Sequence, residues 1–107
     1  MGSVVMKVSD ARRAGKFWRN ALGYVADRGN PAFLAPENGD GTPLHLDDED
    51  RTHLDLWAAD EAEQLAEVER LVLLGARRVE WSYPDDADFV VLADTEGNLF
   101  CVVNAGA

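Results

Sequence analysis

Val4, Met6 and Val8 alternate with Ser3, Val5 and Lys7, the period-two pattern of a half-buried strand over residues 3–8. The period then changes. Ala14, Phe17, Trp18, Ala21 and Leu22 recur at i, i+3, i+4, i+7 and i+8, which predicts a helix with one apolar face. Arg12, Arg13, Lys16 and Arg19 fall largely outside that stripe. Asp10 is the expected N-cap and Gly23 the expected C-terminal stop, while Gly15 weakens the helix. Short strands are expected at 24–26 and 32–35, a hairpin loop at 36–41, and an alternating strand at Leu44-His45-Leu46. Residues 47–52 form a charged connector.

The same order of signals then recurs. Residues 52–57 read as a strand, with His53, Asp55 and Trp57 pointing one way and Leu54 and Leu56 the other. Asp60 and Glu63 form a helix-capping pattern. Leu65, Val68, Leu71, Val72 and Leu74 supply the expected buried stripe of a second helix, ended by Gly75. Strands are expected at 78–83, 89–93 and 99–103, with a turn at Asp94-Thr95-Glu96-Gly97-Asn98. The spacing from Ser3 to His53 equals that from Asp10 to Asp60. Phe33 to Phe89, Gly41 to Gly97 and His45 to Cys101 share a second, slightly longer spacing. The reading is βαβββ twice, with a few residues inserted in the second copy.

At 107 residues the chain is expected to be one domain, with module one over 1–47, a linker at 48–51 and module two over 52–107. Half of it, about fifty residues, is too short to bury a sufficient core alone. A formal net charge of -10 argues against nucleic acid and against an anionic membrane surface, since both need Lys and Arg. The acidic run Asp47-Asp48-Glu49-Asp50 does not have the ligand spacing of a calcium loop. The single cysteine, Cys101, excludes an intrachain disulfide. No signal-peptide pattern or membrane-length apolar run is present, so a cytoplasmic protein is expected.

An α+β sheet covered by helices on one face must turn its apolar residues toward them. That assigns Val4, Met6 and Val8, Leu44 and Leu46, Leu54 and Leu56, and Phe100 and Val102 to the helix side. The opposite face then carries Ser3, Val5 and Lys7, His45 and Asp47, His53, Asp55 and Trp57, and Cys101. Trp57, Trp81 and Tyr83 could wall a flat ligand or simply pack, and Trp18 belongs to the core. Lys7 and Asp55 are costly there without partners, so they pair with each other or meet a polar ligand.

The segments Ala14-Gly15-Lys16-Phe17-Trp18, Ala21-Leu22-Gly23-Tyr24, His53-Leu54-Asp55-Leu56, Val68-Glu69-Arg70-Leu71, Leu74-Gly75-Ala76, residues 91–98 and Phe100-Cys101-Val102-Val103 carry a family likeness. Through them the chain resembles the vicinal oxygen chelate superfamily of glyoxalase, bleomycin-resistance and extradiol-dioxygenase proteins. The turn Asp94-Thr95-Glu96-Gly97-Asn98 is the most specific part of the likeness. The resemblance implies paired βαβββ modules whose mixed sheet curls into a concave cup, with helices on the outer face. It also implies a homodimer and, in the enzymes, a divalent metal held by the first and fourth strands of each module.

Transferred by position, those ligand sites are Ser3, His45, His53 and Cys101. The family enzymes mostly place His and Glu there, so Ser3 and Cys101 depart from the pattern. The favoured reading is therefore metal-free binding of a small organic molecule by Ser3, Val5, Lys7, His45, His53, Asp55, Trp57 and Cys101. His53 or His45 would act as base if the protein is catalytic. The alternative is a metal-dependent lyase, isomerase or dioxygenase. Its ion would be zinc, nickel, iron or manganese on His45, His53 and Cys101.

Overall fold

The computed structural model describes residues 2–106, and its elements follow the expected order. β1 (Ser3–Lys7), α1 (Ala11–Leu22), β2 (Tyr24–Ala26), β3 (Phe33–Pro36) and β4 (Leu44–Asp47) form the first unit, Gly2–Thr52. β5 (His53–Ala58), α2 (Glu61–Leu73), β6 (Arg77–Arg78), β7 (Phe89–Ala93) and β8 (Leu99–Asn104) form the second. The fold is α+β. Each unit is a mixed four-stranded sheet with one helix, ordered β2-β3-β4-β1 in the first and β5-β8-β7-β6 in the second.

The two units share a topology strand for strand. β1 runs parallel to β4, and β5 runs parallel to β8. The remaining ladders, β2–β3 and β3–β4, then β6–β7 and β7–β8, are antiparallel. The registers match as well. Val4 faces Leu44 and Val5 faces His45, while Leu54 faces Phe100 and Asp55 faces Cys101. The sequence repeat is therefore a repeat of hydrogen-bonded positions, not only of element types.

Both helices begin as their caps dictate. The Asp10 side chain accepts from the Arg13 N–H, and that hydrogen bond holds its carboxyl below the usual value. The Asp60 side chain accepts from the Glu63 N–H. α1 ends at Gly23 in the left-handed region, φ 71°. α2 ends at Leu74, after which the Gly75 and Ala76 N–H groups return to the Val72 and Leu71 carbonyls. That is the Schellman pattern, and it explains the positive φ of 117° at Gly75.

The buried faces of both helices differ from the expected stripes. Phe17 and Leu22 are exposed, and α1 meets its sheet through Ala11, Ala14, Gly15 and Trp18 instead. The small residues let the helix lie close above Leu34, Leu44 and Leu46, which form the core of the first unit. In α2, Leu65, Val72 and Leu74 are exposed, whereas Gln64, Val68 and Leu71 point inward. Val68 packs with Leu92 and Val102. The Gln64 amide donates to the Asp88 and Val102 carbonyls at 2.9 Å each, which is why a polar side chain is tolerated inside.

The strand expected over 78–83 shrinks to Arg77–Arg78. Past Arg78 the ladder is only half made, with the Val79 N–H reaching the Val91 carbonyl at 3.5 Å. The Val91 N–H, which the next rung of the ladder would need, donates to the Tyr83 hydroxyl at 2.8 Å. Tyr83 thus substitutes a side chain for a backbone partner, and its ring lies 5.5 Å from that of Phe89.

Candidate functional site

In the second unit, the face of the sheet opposite Val68, Leu92 and Val102 follows from strand alternation. Phe100 and Val102 pack toward α2, so Cys101 points away from it. Asp55 is the register partner of Cys101 and shares its face, together with His53 and Trp57. His53 Nε2 lies 3.2 Å from Asp55 Oδ1, and these side chains are only 9% and 19% exposed. One ligand atom each from His53, Asp55 and Cys101 can be chosen so that all lie within 4.8 Å of one another. Trp57 stands on the same strand face and is 45% exposed.

The first unit uses the corresponding face differently. Ser3 and Val5 are buried, at 2% and 3% exposure. His45 is half-buried, with its ring 6.1 Å from that of Phe33. Lys7, expected to pair with Asp55 or a polar ligand, is engaged by its own unit instead. Its ammonium donates to the Asp48 and Glu49 carbonyls, and its backbone N–H donates to Thr52 Oγ1. Asp47 Oδ1 accepts from the Glu49 and Asp50 N–H groups. The Asp50 and Glu49 bonds, and then the charges of His45 and Lys7, hold Asp47 below the usual aspartate value. The acidic run is therefore a turn organised by Asp47 and closed over by Lys7.

Of the residues selected from the sequence, His53, Asp55 and Cys101 come together within one unit. Asp55 takes the third place in that group, where the expected metal set has His45. Asp55 lies on the expected face but with a different partner, because strand parity shows the face of a residue and not which neighbour it reaches. Trp81 is 43% exposed on the irregular segment after β6, and Tyr83 spends its hydroxyl on Val91. The Asp94 turn is structural. Its carboxylate accepts from the Asn98 side chain and from the Asn98 and Glu96 N–H groups, which lowers its pKa. Gly97, at φ 85°, completes the reversal between β7 and β8.

Two βαβββ units of this topology, with polar residues on their first and fourth strands, define a member of the vicinal oxygen chelate superfamily. Residues 3–103 match the family model described as a glyoxalase-like domain, and the chain belongs to that family. No curated protein is significantly similar to it. Among solved structures, an NAD-dependent benzaldehyde dehydrogenase from Legionella pneumophila is 16% identical, with 94% of this chain and 95% of that one covered and a TM-score of 0.66. A glyoxalase/bleomycin resistance protein from Albidiferax ferrireducens T118 is 16% identical over 92% and 93% of the two chains, with a TM-score of 0.42. A lactoylglutathione lyase from Agrobacterium tumefaciens is 19% identical over 95% and 90%, with a TM-score of 0.38. At these identities the first likeness shows the fold alone, and the other two add nothing to it. Among the described residues, no helix is long and apolar enough to cross a membrane.

Proposed function

We propose that this glyoxalase-like protein binds a small organic molecule on the helix-free face that carries His53, Asp55, Cys101 and Trp57. The observation that supports it most is the convergence of an imidazole and a carboxylate, both largely shielded from water, beside a half-exposed indole. Such a mixture of a flat apolar surface and a few oriented polar groups is what small-molecule sites are made of. Asp55 orients the His53 ring, and His53 offers its other nitrogen to a polar group of the ligand or acts on it as a base. Ser3, Val5, Lys7 and His45, the rest of the expected set, belong to the first unit, where Lys7 ties down the acidic turn.

A thermal-shift screen of small organic acids, aldehydes and aromatic compounds in the presence of chelator tests this reading. Ligands that raise the midpoint of the parent protein should lose that effect in His53→Ala. A screen in which no compound shifts the parent would overturn it. The exposed Leu65 and Val72 on α2 support the homodimer that the family likeness implies, and sedimentation at micromolar concentration giving a monomer would remove it.

A second reading, a metal-dependent lyase, isomerase or dioxygenase, is favoured by the His53, Asp55 and Cys101 donor set. The superfamily's divalent ion fits that set, since one nitrogen, one oxygen and one sulfur donor with an open fourth position satisfy zinc. Bound there, the ion would polarise a substrate oxygen. His53, Asp55 and Cys101 would hold it, and Trp57 would border the open side.

A further inference from the structure

We propose that the first unit holds a separate binding site for a small organic carboxylate, in the groove between α1 and the loop that joins β2 to β3. It goes beyond the site proposed on the face of His53 and does not depend on it. The groove has a volume of about 470 Å³. Ala11, Gly15, Ala26, Pro31 and Ala32 line it, and Arg12 and Arg19 border it.

Small residues make the groove. Ala11 and Gly15 lie one turn apart on the buried side of α1, and Ala26 and Ala32 are equally small on the sheet side. The helix and the outer strands therefore leave space that larger side chains would fill. The wall formed by the loop is braced. Asp27 Oδ2 accepts from the Gly29 and Asn30 N–H groups, and Asn30 Oδ1 accepts from the Ala32 N–H. The Ala32 carbonyl in turn accepts from the Leu46 N–H at 2.8 Å. A wall already held in place lowers the ordering cost of binding.

Charge selects the occupant. The chain carries a formal net charge of -10, yet every charged residue of α1 is basic: Arg12, Arg13, Lys16 and Arg19. Arg12, Gly15 and Arg19 follow the i, i+3, i+7 pattern, so both arginines stem from the side of the helix that borders the groove, about 10 Å apart along its axis. Among the described residues neither guanidinium has a carboxylate within ion-pair distance. Arg19 Nε donates to the Gly15 carbonyl at 3.3 Å, which tethers the head group beside the groove and leaves its terminal N–H groups for a ligand. The acids flanking these elements, Asp10 and Asp27, are both committed to backbone N–H groups. A guanidinium fork matches a carboxylate with two parallel hydrogen bonds. The apolar lining suits a carbon body, which an inorganic anion lacks.

The full chain is titrated with 2-naphthoate at low ionic strength and followed by amide nitrogen–proton NMR, with 2-naphthamide and inorganic phosphate as comparison probes. The expected result is a saturable shift centred on the Gly15, Ala26 and Ala32 amides, weakening as salt is added. Naphthamide lacks the charge and phosphate lacks the apolar body, so each should bind at least about tenfold more weakly. Arg12 and Arg19 are exposed, so Arg12→Gln and Arg19→Gln should keep the folded spectrum while each weakens naphthoate binding by about tenfold. His53→Ala should leave the shifts at the three amides unchanged. No saturable shift at those amides, equal binding of naphthamide or phosphate, or undiminished binding when both arginines are replaced overturns the proposal. Loss of the shifts in His53→Ala overturns it as well, by assigning the ligand to the other unit. The screen against His53→Ala reads a different face, so failure of one site leaves the other standing.

Discussion

At three equivalent strand positions the first half carries Ser3, Val5 and His45, and the second carries His53, Asp55 and Cys101. Register, parity and topology are shared; chemistry is not. The first half has carboxylates nearby, but Asp47 is engaged by two backbone N–H groups and Lys7 by two carbonyls. The second half leaves its carboxylate, Asp55, against a histidine. A duplicated unit can thus keep its hydrogen-bonded frame while its polar groups serve turn-making in one copy and converge on one spot in the other.

Val5→Asp is the most severe way to break that comparison, because it writes the second half's residue into the first. Val5 is 3% exposed, so the new carboxylate would be buried without a built partner. The expected cost is about 3–5 kcal/mol by chemical denaturation. A loss below about 1 kcal/mol would show that the first half accepts the charge and that the asymmetry is not structural.

The helices offer a gentler contrast. Counting from the N-caps, Gln64 in α2 matches Ala14 in α1, so a polar contact stands where the other unit has a methyl group. Gln64→Leu removes the amide donor from the Val102 carbonyl and from the Asp88 carbonyl, which keeps the Asn104 N–H at 2.7 Å, and should cost about 1–3 kcal/mol. A neutral result in urea melts would mean that water replaces the amide. Gly15→Ala should move stability the other way, by about 0.5–1 kcal/mol, since helical glycine is entropically unfavourable. The added methyl would meet Leu46 Cδ1 at 3.7 Å, an ordinary contact. A lower melting temperature would show that α1 cannot accommodate even that contact.

Strand parity makes the frame legible. Alternation along the chain is enough to put His53, Asp55 and Cys101 on one face, and Asp10 and Asp60 mark both helix starts. Helical phase is less legible. Phe17, Leu22, Leu65 and Leu74 outweigh Ala11, Gly15 and Gln64 on any hydrophobicity count, yet the smaller or polar residues face inward. Close approach to a sheet favours small side chains, and a buried amide is acceptable where two carbonyls await it. Neither condition is visible along the chain alone. The shortened β6 is hidden for a related reason: nothing local to residues 78–83 shows that the Tyr83 hydroxyl will take the Val91 N–H.

The Asp94 turn has a consequence for how such chains are sorted. Asp94 gathers Glu96 and Asn98, and Gly97 supplies the left-handed step, so this segment is constrained by the mechanics of joining β7 to β8. It is the part of the sequence on which the resemblance leaned most, and it holds none of the His53, Asp55 and Cys101 group. A likeness carried by this segment therefore reports on a corner of the scaffold and says nothing about the chemistry on the face that carries His53, Asp55 and Cys101.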